Sequence, residues 1–232
     1  MMKFFLATTI CLCSTLLPSA KAKAADFSLN PNITFEVGDG FFGGSFDGQG
    51  DTDAIFPDNF DTVVLGTFGE NSENAEFDIS GLDVPSEESI TKAIFQITVL
   101  PNETVGLGAI GQRPSSLAVR GYIGNGQPDA TDFQAGTILD TASISPEYVE
   151  EFISFDVTSF IQNIVSNQND FAGFGVRAQT IGGITLDRGT FSDKGPRLTI
   201  TTARANTTIS EPNLALGILA CVFVSKIIFK KK

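Results

Sequence analysis

Three carboxylates fall within seven positions in Asp47-Gly48-Gln49-Gly50-Asp51-Thr52-Asp53, on a stretch loosened by two glycines. Such a loop offers carboxylate and carbonyl oxygens at the density that Ca2+, with its roughly six to eight oxygen ligands, requires. It is not an EF-hand loop, because no bidentate glutamate follows at the position where that motif closes. Asp47, Asp51 and Asp53 are therefore candidate calcium ligands, with Asp58 and Asp61 as additions if the fold returns them to the same place. The other reading of these residues is a solvated acidic loop.

Other chemistry is constrained by what the chain lacks. It has no histidine, and its three cysteines are Cys11, Cys13 and Cys221, all near the ends. The usual nucleophile-base pairs and zinc sites cannot be assembled from the middle of such a chain. Two carboxylates could still cleave a glycosidic bond if they stood about 5 to 10 Å apart across a cleft, but spacing along the chain singles out no pair. Asp156, in Phe155-Asp156-Val157-Thr158, reads as a helix cap, and no catalytic residue is assigned. Glycine-rich pieces such as Gly106-Leu107-Gly108 lack the lysine and downstream pattern of phosphate-binding loops. Sugar binding favours large amphipathic rings, yet the chain has no tryptophan and only Tyr122 and Tyr148. Its 21 phenylalanines read as core, except Phe41 and Phe42, which sit among glycines and stand either exposed or stapled beneath a loop.

Charge narrows the partners. Of the 15 Lys and Arg, seven lie near the ends (Lys3, Lys21, Lys23, Lys226, Lys230, Lys231 and Lys232), and of the 27 acids only Glu211 does. The middle keeps 8 basic against 26 acidic residues, a net of about −18. That field repels phosphate backbones, so nucleic acid is not an expected partner. Divalent cations and neutral glycans suit it, and so does simple extracellular solubility.

The elements that must position these groups follow a period of two. Ala93, Phe95, Ile97 and Val99 alternate with Ile94, Gln96 and Thr98; Leu117, Val119 and Ile123 with Ala118, Arg120 and Tyr122; Phe174, Val176 and Ala178 with Gly173, Gly175 and Arg177. These are half-buried strands. Further strands are expected over Ile33–Val37, Thr62–Gly66, Ala75–Ile79, Phe152–Val157, Ile184–Asp187 and Arg197–Thr202. Many short strands separated by Gly, Asn, Asp and Pro predict an all-β fold, a β-sandwich. One segment departs from the pattern. Phe160, Ile161, Ile164 and Val165 form a helical stripe after Asp156 and Thr158, either of which can cap it, and this short helix is expected to plug one end of the sandwich.

Both ends read as targeting segments. Lys3 precedes an apolar stretch from Phe4 to Leu17, followed by Ala20, Ala22 and Ala24, the layout of a secretory signal peptide cleaved by signal peptidase after Ala22 or Ala24. At the other end, Ser210-Glu211-Pro212 is followed by an apolar run from Leu214 to Phe229 and by Lys230-Lys231-Lys232. As a helix that run would rise about 24 Å, a little short of the ~30 Å hydrocarbon core, with the lysines held on the cytoplasmic side. The expected organisation is a signal peptide over 1–24, a β-sandwich over 25–205 and a C-terminal segment over 206–232 with a transmembrane helix over 214–229.

The tail resembles the PEP-CTERM sorting signal of exopolysaccharide-producing bacteria, with Glu211 and Pro212 in place and Ser210 where that family has its first proline. The resemblance implies processing near Ser210-Glu211-Pro212 by an exosortase-type enzyme; an anchor that stays uncut is the plainer alternative. A second resemblance lies between about Thr62 and Thr202. The strand Ile90 to Ile97, Phe155-Asp156-Val157-Thr158 before a helix, Phe171-Ala172-Gly173-Phe174-Gly175-Val176 and the closing Gly195-Pro196-Arg197-Leu198-Thr199-Ile200 look like the DNRLRE-type jelly roll of secreted proteins. Together these imply a secreted, non-enzymatic protein at the cell surface or in the extracellular matrix, held at the membrane and associated with exopolysaccharide. A glycan-binding module and a carboxylate-dependent glycoside-cleaving enzyme are the alternatives.

Overall fold

The computed structural model describes residues 24–39, 55–57, 62–66, 70–100, 114–145, 151–180, 182–189 and 194–204; for residues 56, 57, 62–66 and 70 it describes the backbone alone. Asp47, Asp51, Asp53, Asp58 and Asp61, Phe41 and Phe42, the leader and the tail from Ser210 to Lys232 lie outside the described residues.

The fold is mostly β. β1 (Ala25–Leu29), β6 (Glu88–Thr98), β9 (Phe152–Asp156) and β12 (Arg197–Arg204) form a four-stranded sheet in the order β1-β12-β6-β9. A six-stranded sheet runs β3-β2-β5-β10-β7-β8, built from β3 (Ile55–Pro57), β2 (Ile33–Asp39), β5 (Glu70–Asp78), β10 (Phe171–Ala178), β7 (Ser116–Ile123) and β8 (Thr137–Ser143). β4 (Thr62–Gly66) and β11 (Gly182–Leu186) make a two-stranded ribbon. These pairings are antiparallel, as turn-linked strands with alternating faces require.

Phenylalanines join the two large sheets. Phe95 of β6 stacks on Phe174 of β10 with ring centroids 4.8 Å apart, and Phe77 of β5 meets Phe174 edge-on at 5.8 Å. Phe155 of β9 extends the stack beyond Phe95. All four rings are fully buried, so the alternation read at Phe95 and Phe174 marks the inner face of each sheet.

The single α-helix among the described residues, α1 (Thr158–Ser166), lies where its stripe predicts. It buries Ile161 and Ile164 in the main core and contacts both β6 and β10, one strand from each sheet. Its Phe160 ring meets Phe174 at 5.6 Å. Asp156 accepts from the Thr158 amide at 2.9 Å, whereas the Thr158 hydroxyl also pairs with the Ala93 amide of β6 at 2.9 Å. The first carboxylate thus serves the helix, and the threonine ties it to the sheet.

The strand pattern differs from expectation in several places. β3 and β8 carry weak alternation and lie outside the expected spans, as does β1, although its Ala25, Phe27 and Leu29 alternate with Asp26 and Ser28. β5 begins at Glu70 rather than Ala75, and a 3-10 turn over Ala130–Phe133 sits between β7 and β8. Because Phe174 touches rings from β5, β6 and α1, Phe174→Ala should lower unfolding stability by about 3 to 5 kcal/mol, measured by chemical denaturation.

Candidate functional site

β5 reads Glu-Asn-Ser-Glu-Asn-Ala-Glu-Phe-Asp, and every side chain from Asn71 to Phe77 is buried. Side chains alternate along a strand, so Asn71 and Glu73 share the inner face with Ala75 and Phe77, while Ser72, Asn74 and Glu76 face outward. A carboxylate taken from water costs several kcal/mol without partners, so each face has to supply them.

On the inner face, Glu73 stands directly opposite Glu36 of β2, a like-charge cross-strand pair that would be destabilising on its own. Arg188, just after β11, resolves it: Nε donates to Glu73 at 2.9 Å and Nη2 to Glu36 at 3.2 Å. Asn71 adds a bond to the other Glu36 oxygen at 2.6 Å. The Arg188 and Glu73 side chains are each 1% exposed and that of Glu36 14%. Two carboxylates share one guanidinium, and burial pushes the Glu36 carboxyl up to about 7 against the attraction of Arg188. Arg188 also lines a cavity of about 440 Å³ with Asn30, Pro31, Gly189, Gly195, Pro196 and Arg197.

On the outer face, register places Glu76, Gly173 and Tyr122 in one row across β5, β10 and β7. The glycine makes the row possible: a Cβ on Gly173 would lie 2.3 Å from the Tyr122 ring, which instead lies flat across β10. Segment 124–136 folds back over this face. Its Asn125 and Gly126 amides donate to Glu76 Oε2 at 3.1 and 2.6 Å. Its 3-10 turn is closed by Asp129, which accepts from the Thr131 amide at 2.7 Å, and by Asp132, which accepts from the Asp129 amide at 3.0 Å. Phe133 packs on Phe35 and Val37, with the Arg177 guanidinium 3.5 Å over its ring. Arg120 donates to the carbonyls of Gln134, Ala135 and Gly136, pinning the far end. Burial raises the Glu76 carboxyl, and it carries Asp132 up to about 7 with help from the Glu76 charge. Tyr122 is held well above an ordinary phenol by burial and then by Asp132 and Glu76.

A third arrangement is open to solvent. A cavity of about 310 Å³ between β8 and the start of α1 is lined by Leu139, Asp140, Asp156, Thr158, Ser159 and Phe160. Asp140 Oδ2 accepts from the Asp156 amide at 2.9 Å, while Asp156 Oδ1 accepts from the Thr158 hydroxyl at 2.6 Å. The Thr158 hydroxyl and amide lower the Asp156 pKa, so this carboxyl is held ionised. A general acid must keep its proton near the working pH, and Asp156 is tuned the opposite way. The N-cap of α1 is Val157, which makes no side-chain cap bond, so Asp156 serves the helix from one position earlier, through the Thr158 amide.

The structure thus brings together residues that spacing did not connect: Glu36, Glu73 and Arg188 inside, and Glu76, Tyr122 and Asp132 outside. The alternating Gly173 and Gly175 were the available signal, since glycine in a strand interior marks a close approach. Among the described residues, no three or more His, Cys, Asp or Glu side chains converge as for a metal ion, and no helix is long and apolar enough to cross a membrane. Asp47, Asp51 and Asp53, Ser210, Glu211 and Pro212, and Lys230, Lys231 and Lys232 lie outside the described residues.

Removing the shared cation should be costly. Arg188→Leu leaves Glu36 and Glu73 facing each other and is expected to lose about 3 to 5 kcal/mol in urea unfolding at pH 7. The pH dependence has a definite sign. The stability that Glu36 contributes is complete below its ordinary value of 4.5 and is lost as pH rises through about 7, so the wild-type urea midpoint should fall between pH 5 and pH 8 and fall less in Glu36→Gln. No protein-family model matches the chain, and no curated protein matches it.

Proposed function

We propose that this chain is a secreted, non-enzymatic component of the cell envelope or extracellular matrix. In this reading a jelly-roll domain over about 25–205 is exported by a leader, sorted by a PEP-CTERM-like tail at Ser210-Glu211-Pro212 and associated with exopolysaccharide. The observation that carries it is where the first and last described strands lie. β1 begins at Ala25, next to the expected leader cleavage after Ala22 or Ala24, and β12 ends at Arg204, ahead of the expected sorting motif. The two strands pair along the whole of β1, from Ala25 opposite Thr202 to Leu29 opposite Leu198. Removal of the leader and processing of the tail would therefore leave every described strand whole. The order of strands, with β12 between β1 and β6 and β10 between β5 and β7, suits a jelly roll.

A glycan-binding module is the second reading, and the cavity beside α1 favours it. Asp140, Asp156, Thr158 and Ser159 offer acceptors and hydroxyls to sugar O–H groups, and Phe160 and Leu139 offer an apolar wall to C–H faces.

The intact mass of the protein recovered from its native cells tests the sorting reading. The expected species starts near Ala25 and stops between Ser210 and Asn213, with or without an added anchor. A species that retains Leu214 to Lys232 rules out processing and leaves a plain C-terminal anchor. Co-sedimentation with polysaccharide from the same cells tests the contact: retention of wild type that weakens in Phe160→Ala supports the α1 cavity as the glycan site.

A further inference from the structure

Two buried carboxyls lie on either side of the seam between segment 124–136 and the six-stranded sheet, near enough for the charge of Glu76 to raise Asp132. Glu76 rises from β5, and Asp132 belongs to the segment's own 3-10 turn. Glu76 is fully buried and Asp132 is 9% exposed, and neither has an ion pair among the described residues. The other charged or titratable groups around them do not neutralise them. Tyr122 of β7 feels both charges, and Asp129 of the segment adds a third negative charge beside Asp132. Glu73 of β5 contributes from the inner face. Arg120 of β7 bonds three carbonyls of the segment, and Arg177 of β10 is stacked on Phe133.

The hydrogen bonds divide the roles. Glu76 Oε2 receives two backbone amides, which favour a carboxylate over a carboxylic acid. Asp132 accepts one amide and faces the Glu76 charge, so a proton bound by the pair resides on Asp132.

We propose that segment 124–136 is a pH-dependent flap: one proton on the Glu76–Asp132 pair keeps it against the sheet, and loss of that proton to water releases the Asn125–Gly126 end. Closed, the flap shields Phe35, Val37 and the Tyr122 ring, and Phe133 is its plug. Once both carboxyls are ionised, repulsion acts directly across the seam, since one charge is on the sheet and the other on the flap. The Arg120 contacts at 134–136 remain as a hinge at the far end. Opening then uncovers an apolar floor on the outer face of the sheet. A carboxyl held up to about 7 in the closed form and ordinary in the open form shifts the equilibrium by about tenfold for each pKa unit of difference.

Hydrogen exchange of the full chain, corrected for intrinsic rates at each pH, tests this. Protection of the Asn125 and Gly126 amides should fall tenfold or more between pH 5 and pH 8, while that of Phe95 and Ile97 in β6 holds. Asp132→Asn keeps an acceptor for the Asp129 amide without the charge, and its protection at 125 and 126 should stay level over the same range. Glu76→Gln removes the other charge and should also give a level profile. Unchanged wild-type protection overturns the proposal, as does an equal fall in either variant or a fall shared by β6.

Discussion

Burial of β5 on both faces is the constraint from which the rest of the arrangement follows. A strand at the centre of a six-stranded sheet usually packs one face and wets the other, but here Glu73 points into the sandwich and Glu76 into a second interface. Each carboxyl demands its own solution. Inside, Arg188 arrives from the end of β11 and spans Glu73 and Glu36. Outside, backbone amides of segment 124–136 take that part for Glu76, and the segment itself becomes a third layer. Gly173 allows this, because only a residue without Cβ lets the Tyr122 ring lie across β10 toward Glu76. The phenylalanine stack from Phe155 through Phe95 to Phe174 then holds the two large sheets at a fixed separation.

Much of the fold was legible where the inner face is apolar. The alternations at Phe95, Val119 and Phe174 each mark a strand, with β6 reaching back to Glu88 ahead of its alternation, and the stripe at Ile161 and Ile164 marks the helix. Hydrophobic periodicity failed where the buried face is polar. Asn71, Ser72, Glu73 and Asn74 read as turn or solvent-facing residues, so β5 was expected to start at Ala75, and its interactions depend on partners far away in sequence, such as Arg188. β8, with Thr137-Ile138-Leu139-Asp140, is an edge strand with much of its surface exposed, and it lacks the contrast that reveals a packed strand. Segment 124–136, with three Gly and two Asp, has the composition of a surface loop, and its packing role rests on the single ring of Phe133. Of the candidate chemistry, the bond from Asp156 to the start of α1 was legible because it is local, although the N-cap position itself falls to Val157.

The acidity takes on a different meaning once the clusters are located. Read from composition, 26 acids against 8 bases suggested surface solubility. Yet Asp39, Glu73, Glu76, Asp132 and Asp187 are all buried, so part of that charge is structural, and burial raises the carboxyls of Glu36, Glu76 and Asp132. Carboxyls lifted to about 7 at Glu36 and Asp132 make the stability of the fold depend on pH across that range.

Tyr122 reports most directly on whether the six-stranded sheet is covered on its outer face. The chain has two tyrosines and no tryptophan, so in a Tyr148→Phe variant the tyrosine fluorescence belongs to Tyr122 alone. At pH 5, with the ring buried beneath segment 124–136, that fluorescence should resist quenching by acrylamide until the fold is lost in urea. A Tyr122 quenched at pH 5 as freely as in the unfolded chain, with the folded circular-dichroism spectrum intact, would contradict a covered outer face.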